Sequence, residues 1–229
     1  MNRIQSIEIA NRKIHLYSPE TGSYPAIVIP ADDSDGSSIY QECLENGNKD
    51  FILIVISDVD WNCELSPWQA PPVFRKGESF LGEADLYLKE IEDVLLPEIR
   101  QYLSDQNLLI QSYALAGYSL AGLFSLYAGF QTSLFENIAS VSGSLWYPNF
   151  STYVENHRLS SNIRKVYFSL GNKEAETKNP LMSTVKDKTL QIREYLSSYI
   201  ETFYEENEGN HFQEPEKRMA KAIRYLLNQ

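Results

Sequence analysis

The sequence is poor in cysteine and histidine and has no excess of positive charge. Its 229 residues include two cysteines and three histidines, and the formal net charge is −11. Cys43 and Cys63 lie in no CxxC or other metal-ligand spacing, so we expect two free thiols in a reducing compartment and no bound metal. The negative charge argues against a nucleic-acid partner and against binding to an anionic membrane surface.

Long hydrophobic runs and cofactor-binding motifs are missing too. No uninterrupted apolar segment approaches the roughly 20 residues of a membrane span, and the first residues carry charges where a signal peptide would need an apolar run. We therefore expect a cytoplasmic protein with no membrane contact. No GxGxxG, Walker A, HExxH or EF-hand pattern occurs, so nothing in the sequence indicates a metal or a cofactor.

Short apolar runs alternate with amphipathic segments through most of the chain. The apolar runs predict buried strands at residues 25–30, 51–57, 113–116, 137–142 and 166–170, with a last strand at 199–204. The amphipathic segments predict helices at residues 39–47, 82–103, 120–130, 185–197 and 214–227, with Pro97 bending or restarting the second one. Residues 3–9 and 12–17 alternate polar and apolar, as in an antiparallel hairpin at a sheet edge. This order predicts one α/β domain over residues 1–229, with a mostly parallel central sheet and helices on both faces.

Residues 58–81 form a long irregular segment that contains Trp61 and Trp68. A loop of this length within a compact domain is usually functional. The two indole rings either pack the loop onto the body of the protein or line a pocket, and large aromatic side chains serve both ends equally well.

One serine lies between a predicted strand and a predicted helix. The stretch reads Gly117-Tyr118-Ser119-Leu120-Ala121-Gly122. A sharp strand–turn–helix needs small residues two positions before and after the serine, and Gly117 and Ala121 meet that demand. The hydroxyl then points clear of the sheet, beside a helix N-terminus that stabilises negative charge. The stretch predicts the nucleophile elbow of an α/β-hydrolase fold with Ser119 as nucleophile. The alternative is a glycine-rich turn of another α/β protein.

A nucleophilic serine needs a base, and chain order selects one histidine. In α/β-hydrolases the order is serine, acid, histidine. His15 lies far upstream in the hairpin, and His157 precedes the strand that should carry the acid. His211 follows the last predicted strand and precedes the last helix, so we predict it as the base. The alternative is a solvated surface histidine.

The acid should follow the strand at residues 166–170. Glu174 lies in the turn Gly171-Asn172-Lys173-Glu174, Glu176 follows closely, and Asp187 is more distant. We favour Glu174, because the side chain nearest to the strand end is held most rigidly. Glu176 and Asp187 remain alternatives, as does a carboxylate that only faces solvent.

A tetrahedral intermediate of acyl transfer needs two backbone N–H donors. The fold template assigns one donor to Leu120, directly after the nucleophile. It assigns the other to Ala31 or Asp32, in the loop after the strand at residues 25–30.

Several stretches together resemble the esterase family of α/β-hydrolases that includes esterase D and the enterochelin (siderophore) esterases. They are residues 117–124, 142–147, 171–174 and 209–212, and residues 60–62 and 66–68 add to the likeness. The matches run in family order from about residue 25 to the C-terminus. The resemblance implies Ser119 as nucleophile and His211 as base.

The resemblance also implies where substrate binds. The loop with Trp61 and Trp68 and the turn with Trp146 and Tyr147 should border the substrate pocket. We place Tyr118, beside the nucleophile, in the same pocket.

These features predict a serine esterase that cleaves a small or medium-sized carboxylic ester through an acyl-enzyme. Thioester hydrolysis or acyl transfer would use the same residues. Two alternatives come from other classes: a hydrolase-fold protein that binds a ligand without turnover, and a structural subunit that uses the aromatic loop as an interface.

Overall fold

The computed structural model describes residues 2–48 and 50–228, and its strands form one eight-stranded sheet. The strands are β1 (Asn2–Ile9), β2 (Arg12–Pro19), β3 (Gly22–Pro30), β4 (Ile52–Ile56), β5 (Leu108–Tyr118), β6 (Phe135–Val141), β7 (Lys165–Gly171) and β8 (Glu201–Asn207). The helices are α1 (Ser37–Glu45), α2 (Trp61–Glu64), α3 (Ala84–Glu90), α4 (Leu96–Ser104), α5 (Leu120–Gln131), α6 (Phe150–Asn156), α7 (Val185–Ser197) and α8 (Pro215–Leu227).

The strand order is β1-β2-β4-β3-β5-β6-β7-β8. The hairpin partners β1 and β2 are antiparallel, and β2 joins β4 in antiparallel register. Every later pair, from β4–β3 to β7–β8, is parallel. The mostly parallel sheet with its N-terminal antiparallel hairpin is confirmed. Because these strands are parallel and run in the same direction, their carboxyl ends all lie at one edge of the sheet. Ligands bind at this edge in such folds.

The core lies on both faces of this sheet. Strand β4 shows the principle: its period of two sends Ile52, Ile54 and Ile56 to one face and Leu53 and Val55 to the other. The first face is covered by α3 to α7, and the second by α1 and α8, which pack on each other. Each face therefore buries an apolar layer, which explains why the central strands are apolar throughout.

Strands β3, β5 and β8 each extend three or more residues beyond the range that the sequence pattern predicts. Strand β3 begins at Gly22 and β5 at Leu108, because the two pair with each other before their apolar stretches start. Strand β8 continues through Asn207, so the predicted end of the last strand at residue 204 is wrong. Pairing of Ser169 with Glu205 and of Gly171 with Asn207 extends the strand despite its polar sequence.

The predicted helix at residues 82–103 is interrupted before Pro97. A π-helical turn, Ile91–Leu95, separates α3 from α4, and the Leu96 N–H donates to the Ile91 carbonyl five residues earlier. Proline has no N–H to donate and its ring crowds the carbonyl four residues before it, so the regular ladder breaks here. The helices α2 and α6 are short and were not predicted.

Both cysteines are buried free thiols. Within residues 2–48 and 50–228, no helix has the length and the apolar character that crossing a membrane requires.

Candidate active site

Ser119 lies at the turn between β5 and α5 in a strained backbone conformation. Its φ is 60° and its ψ is −120°, a combination that costs a non-glycine residue about 1–3 kcal/mol. The surroundings hold it there. The Ser119 N–H donates to the Val141 carbonyl at 3.0 Å, and the Ser119 carbonyl accepts from Ser144 at 2.9 Å and from Gly122 at 3.1 Å. The strain keeps the hydroxyl at the carboxyl edge of the sheet, clear of the backbone.

Close packing at this turn explains the small residues around the serine. A Cβ atom on Gly117 would lie 2.2 Å from the Ala121 carbonyl oxygen, far inside contact distance. Only glycine fits at position 117, and a larger side chain at position 121 would meet the same crowding. The predicted elbow geometry is present.

His211 lies beside Ser119 and the other histidines do not. The distance from His211 Nε2 to Ser119 Oγ is 3.0 Å. His15 pairs with Ser6 within the N-terminal hairpin, and His157 is exposed and stacks on Tyr153. Chain order therefore selected the one histidine that reaches the serine.

Glu174 makes the contact expected of the acid. Its Oε2 lies 2.8 Å from His211 Nδ1, while Oε1 accepts from the Gly171 N–H at 2.6 Å, Ser142 Oγ at 2.7 Å and Arg218 Nη1 at 2.8 Å. Burial opposes ionisation of this carboxyl, but the hydrogen bonds from His211, Gly171 and Ser142 outweigh it and lower the pKa of Glu174. The carboxylate is therefore ionised at neutral pH.

Glu176 and Asp187 do not reach His211. Both side chains are exposed, and neither forms a hydrogen bond to that imidazole in the described part of the chain. The alternatives that the sequence left open for the acid thus lack the necessary contact.

The turns after β7 and β8 are hydrogen-bonded to each other, which brings acid and histidine together. The Asn172 N–H donates to the Asn207 carbonyl at 2.8 Å, and the Lys173 N–H donates to the Gly209 carbonyl at 3.0 Å. The side chain of Asn172 accepts from the Gly209 N–H at 3.0 Å. A Cβ on Gly171 would lie 2.3 Å from the Gly209 carbonyl oxygen, so this close approach requires glycine.

Arg218 also contacts the site, although we did not predict it from the sequence. This α8 residue is 2% exposed and pairs with Glu174. A signal was present in the sequence: Arg218 lies one turn before Ala222, on the helix face that also carries Met219 and Ile223. A single arginine on an apolar helix face is a buried charge, which needs a partner.

The two predicted donors in the loop after β3 differ in their hydrogen bonding. The Ala31 N–H donates to the Ile56 carbonyl at 2.8 Å, because β3–β4 pairing continues one residue past the strand. The prediction of Ala31 as an oxyanion donor is therefore wrong. The Asp32 N–H forms no backbone hydrogen bond among the described residues, and the Leu120 N–H, first in α5, has no acceptor within its helix. Leu120 and Asp32 remain predicted donors.

A cavity of about 380 Å³ opens beside Ser119 and His211. Trp61, Trp146 and Glu78 line it. The cavity's other apolar lining residues are Val73, Phe74, Phe80, Leu120, Met182, Val185 and Phe212. No lysine or arginine is among the described residues of its wall.

Trp68, Tyr147 and Tyr118 lie elsewhere, contrary to the prediction. The Trp68 indole N–H donates to the Pro148 carbonyl at 3.0 Å, and its ring packs against Tyr147 and neighbouring aromatic residues. These two side chains therefore fasten the long loop to the body of the protein. Burial raises the pKa of Tyr118, whose protonated hydroxyl donates to the His211 carbonyl at 2.6 Å. Tyr118 thus supports the histidine loop from behind.

Within residues 2–48 and 50–228, no group of three or more histidine, cysteine, aspartate or glutamate side chains is placed to hold a metal ion.

Comparisons with known proteins agree with this architecture. The family model described as "Putative esterase" matches residues 11–216. Uncharacterized protein YbbA of Bacillus subtilis (strain 168) is 29% identical over 204 residues, which cover 81% of this chain and 78% of that protein. An IroE-like serine hydrolase from Shewanella oneidensis superposes with a TM-score of 0.77 at 19% identity, over 98% of this chain and 80% of its own. Siderophore hydrolase EstA from Aspergillus nidulans gives a TM-score of 0.73 at 18% identity, over 99% of this chain and 94% of its own.

The strand order and the serine turn define an α/β-hydrolase fold. Because the family model matches residues 11–216, which are most of the chain, the chain belongs to this esterase family.

Proposed function

We propose that the protein hydrolyses a carboxylic ester through an acyl-enzyme, with Ser119 as nucleophile, His211 as base and Glu174 as the acid that orients it. The observation that carries the proposal is one unbroken chain of hydrogen bonds. Ser119 Oγ lies 3.0 Å from His211 Nε2, and His211 Nδ1 lies 2.8 Å from Glu174 Oε2. A protein that only bound a ligand would have no use for this chain beside a strained serine.

Acylation follows from these contacts. Ser119 Oγ attacks the ester carbonyl carbon while its proton passes to His211 Nε2, and the developing oxyanion is held by the Leu120 and Asp32 N–H groups. The intermediate collapses by breaking the bond to the leaving alcohol, which takes the proton from His211. Glu174 stays ionised and stabilises the imidazolium.

Deacylation repeats the steps of acylation with water as the nucleophile. His211 removes a proton from the water that attacks the acyl-Ser119 carbonyl. The second intermediate releases the carboxylic acid, and the proton returns from His211 to Ser119 Oγ. Water must reach this position, and the His211 side chain, which lines the cavity, is partly exposed, 27%.

The cavity supports a neutral ester with an apolar group. Its wall is mostly aromatic and aliphatic, and its charged members are the carboxylates Glu78 and Glu174. Glu174 is paired with the buried Arg218, so Glu78 is the carboxylate that a negatively charged substrate would meet, with no lysine or arginine among the described residues of the wall to attract it. Two exposed phenylalanines, Phe74 at 62% and Phe212 at 85%, extend the apolar wall to the mouth. We therefore expect a substrate whose acyl or alcohol group is long enough to contact them.

The catalytic part of the proposal is tested with p-nitrophenyl butyrate. Ser119→Ala should lower kcat by about 10⁴-fold or more, because the nucleophile is lost. The matched control is Ser133→Ala, a change at an exposed serine of the loop before β6, and it should keep the wild-type kcat. Retained activity in Ser119→Ala would rule out the mechanism. Thioester hydrolysis would use the same residues, so kcat/KM is also measured for a thioester with the same acyl group and compared with that for the ester.

The substrate part is tested with acyl chains of increasing length. Phe212→Ala should lower kcat/KM for the octanoate roughly tenfold and leave the acetate nearly unchanged, since only the long chain reaches the mouth. Leu86→Ala removes an equally apolar, 66% exposed side chain outside the cavity and serves as the control. Equal losses for all chain lengths would contradict the assignment.

A cytoplasmic location and a single domain over residues 1–229 stay predictions from the sequence.

A further inference from the structure

Arg218 is a buried charge that connects two separate parts of the active site. Its side chain is 2% exposed, and it projects from α8 toward the turns after β7 and β8. Nη1 donates to Glu174 Oε1 at 2.8 Å. Nη2 donates to the Glu208 carbonyl at 3.0 Å and to the Asn210 carbonyl at 2.9 Å. One planar group thus binds the carboxylate at one end and the histidine loop at the other.

The two ends of the guanidinium position the two partners of the Glu174–His211 contact. One end bonds the carboxylate, and the other bonds the loop that carries the histidine. The bond to Oε1 adds to those from the Gly171 N–H and Ser142 Oγ, and together they leave Oε2 as the Glu174 oxygen that faces His211 Nδ1. The bonds to the two carbonyls flank the backbone just before His211 and set where its imidazole lies. Because the guanidinium is rigid and its donors point in fixed directions, moving one end moves the other.

Burying this charged pair costs desolvation free energy, which packing of the helix alone does not require. A buried arginine–carboxylate pair is often no more stabilising than apolar side chains of similar volume. The helix face around Arg218 is otherwise apolar, and Met219, Ala222 and Ile223 are all buried there. An apolar residue would therefore have satisfied the packing of α8 at this position.

We propose that Arg218 is a positioning residue of ester hydrolysis, which orients Glu174 toward His211 and holds the loop that places His211 on Ser119. This inference rests on the proposed function. It differs from a structural role because it requires the charge and the fork of donors, whereas packing requires only the volume.

The test compares Arg218→Met with Arg218→Lys. Methionine approximates the apolar stem of arginine without charge, and lysine keeps the charge but has a single nitrogen that cannot serve both ends. For p-nitrophenyl butyrate, kcat should fall on the order of 10²-fold in Arg218→Met and less in Arg218→Lys, with KM within about twofold of wild type. The control, Arg224→Met, removes an exposed arginine from the same helix and should keep the wild-type kcat.

A second readout needs no turnover. The Nδ1 proton of His211, shared with Glu174, should give a far-downfield proton NMR resonance in the wild type and in Arg224→Met. This resonance should be lost or moved upfield in Arg218→Met. If wild-type protein shows the resonance but no Ser119-dependent turnover, the proposed function fails while the positioning by Arg218 is still measured.

Two results would overturn the inference. One is a methionine variant at least as active as the lysine variant, because that order follows packing instead of charge. The other is wild-type kcat together with an unchanged resonance in both variants. If Arg218→Met does not fold, Arg218→Lys decides alone: a lower kcat with a shifted resonance supports the inference, and wild-type values of both contradict it.

Discussion

Replacing Glu174 by glutamine exchanges one carboxylate oxygen for an NH₂ group. We expect that His211 then no longer acts as the base, while the fold stays intact. Three donors converge on Oε1: the Gly171 N–H, Ser142 Oγ and Arg218 Nη1. An amide NH₂ cannot accept from them, so the glutamine carbonyl must take this place. The NH₂ then faces His211 Nδ1.

This orientation reverses the tautomer of the imidazole. The glutamine NH₂ is a donor, so Nδ1 of His211 has to accept and the ring proton moves to Nε2. Nε2 can then no longer take the proton of Ser119. The expected loss in kcat is about 10⁴-fold, the size that a wrong tautomer causes in a serine triad.

The same substitution has a limited cost in stability. Arg218 loses its counter-charge but keeps two backbone carbonyls and the amide oxygen as acceptors. Losing one partner of a buried ion pair costs about 3–5 kcal/mol, and we expect the low end. For a protein of this size, about 3 kcal/mol lowers Tm by roughly 6–12 °C.

The assay is steady-state hydrolysis of p-nitrophenyl butyrate well below the variant's Tm, with thermal unfolding measured in parallel. Glu176→Gln is the matched control, since Glu176 is exposed and should tolerate the change with wild-type kcat. A Glu174→Gln enzyme within about threefold of wild-type kcat would refute the tautomer argument. An inactive Glu176→Gln would refute the choice of acid.

Three further predictions concern the same site. His211→Ala should abolish turnover with little change in Tm, whereas His157→Ala, at an exposed histidine, should leave both unchanged; the reverse pattern in kcat would show that the base is misassigned. Gly117→Ala places a Cβ 2.2 Å from the Ala121 carbonyl oxygen and should lower stability by about 1–3 kcal/mol or more, measured by urea unfolding, and an unchanged midpoint would contradict the crowding. The pKa of Glu174 is lower in the folded than in the unfolded protein, so its ionised form stabilises the fold. This stabilisation is fully present above the unfolded pKa of about 4.3 and is lost as the pH falls through the folded pKa. The difference in Tm between wild type and Glu174→Gln should therefore narrow from about pH 7 to about pH 3. A gap that widens in acid would show that the carboxylate does not stabilise the fold.

The serine turn could be predicted from sequence because local sterics dictate it. The small residues at positions 117 and 121 are required by contacts within six residues of chain, so they carry the signal themselves. Chain order then selected His211, since parallel strands bring their carboxyl ends to one edge. It allowed Glu174, Glu176 and Asp187 alike as the acid, and closeness to the end of the preceding strand favoured Glu174.

The errors came from contacts between distant segments. Ala31 could not be excluded as a donor without the β3–β4 register, which takes its N–H to Ile56. The positions of Trp68 and Tyr147 depend on which surface the long loop packs against, and residue type is the same for a pocket wall and for a core contact. The position of Arg218 on an apolar helix face indicates a buried charge. Its partner could not be identified from the sequence, because Glu174 lies 44 residues earlier in the chain.

Covalent trapping shows whether Ser119 is a nucleophile that His211 activates. A fluorophosphonate reacts with an activated serine hydroxyl and leaves a stable adduct, which intact-mass spectrometry and peptide mapping locate. We predict one adduct per chain on Ser119 of the wild type, no adduct on Ser119→Ala, and strongly slowed labelling of His211→Ala. Wild-type protein without an adduct, or an adduct on a residue other than Ser119, would contradict the account.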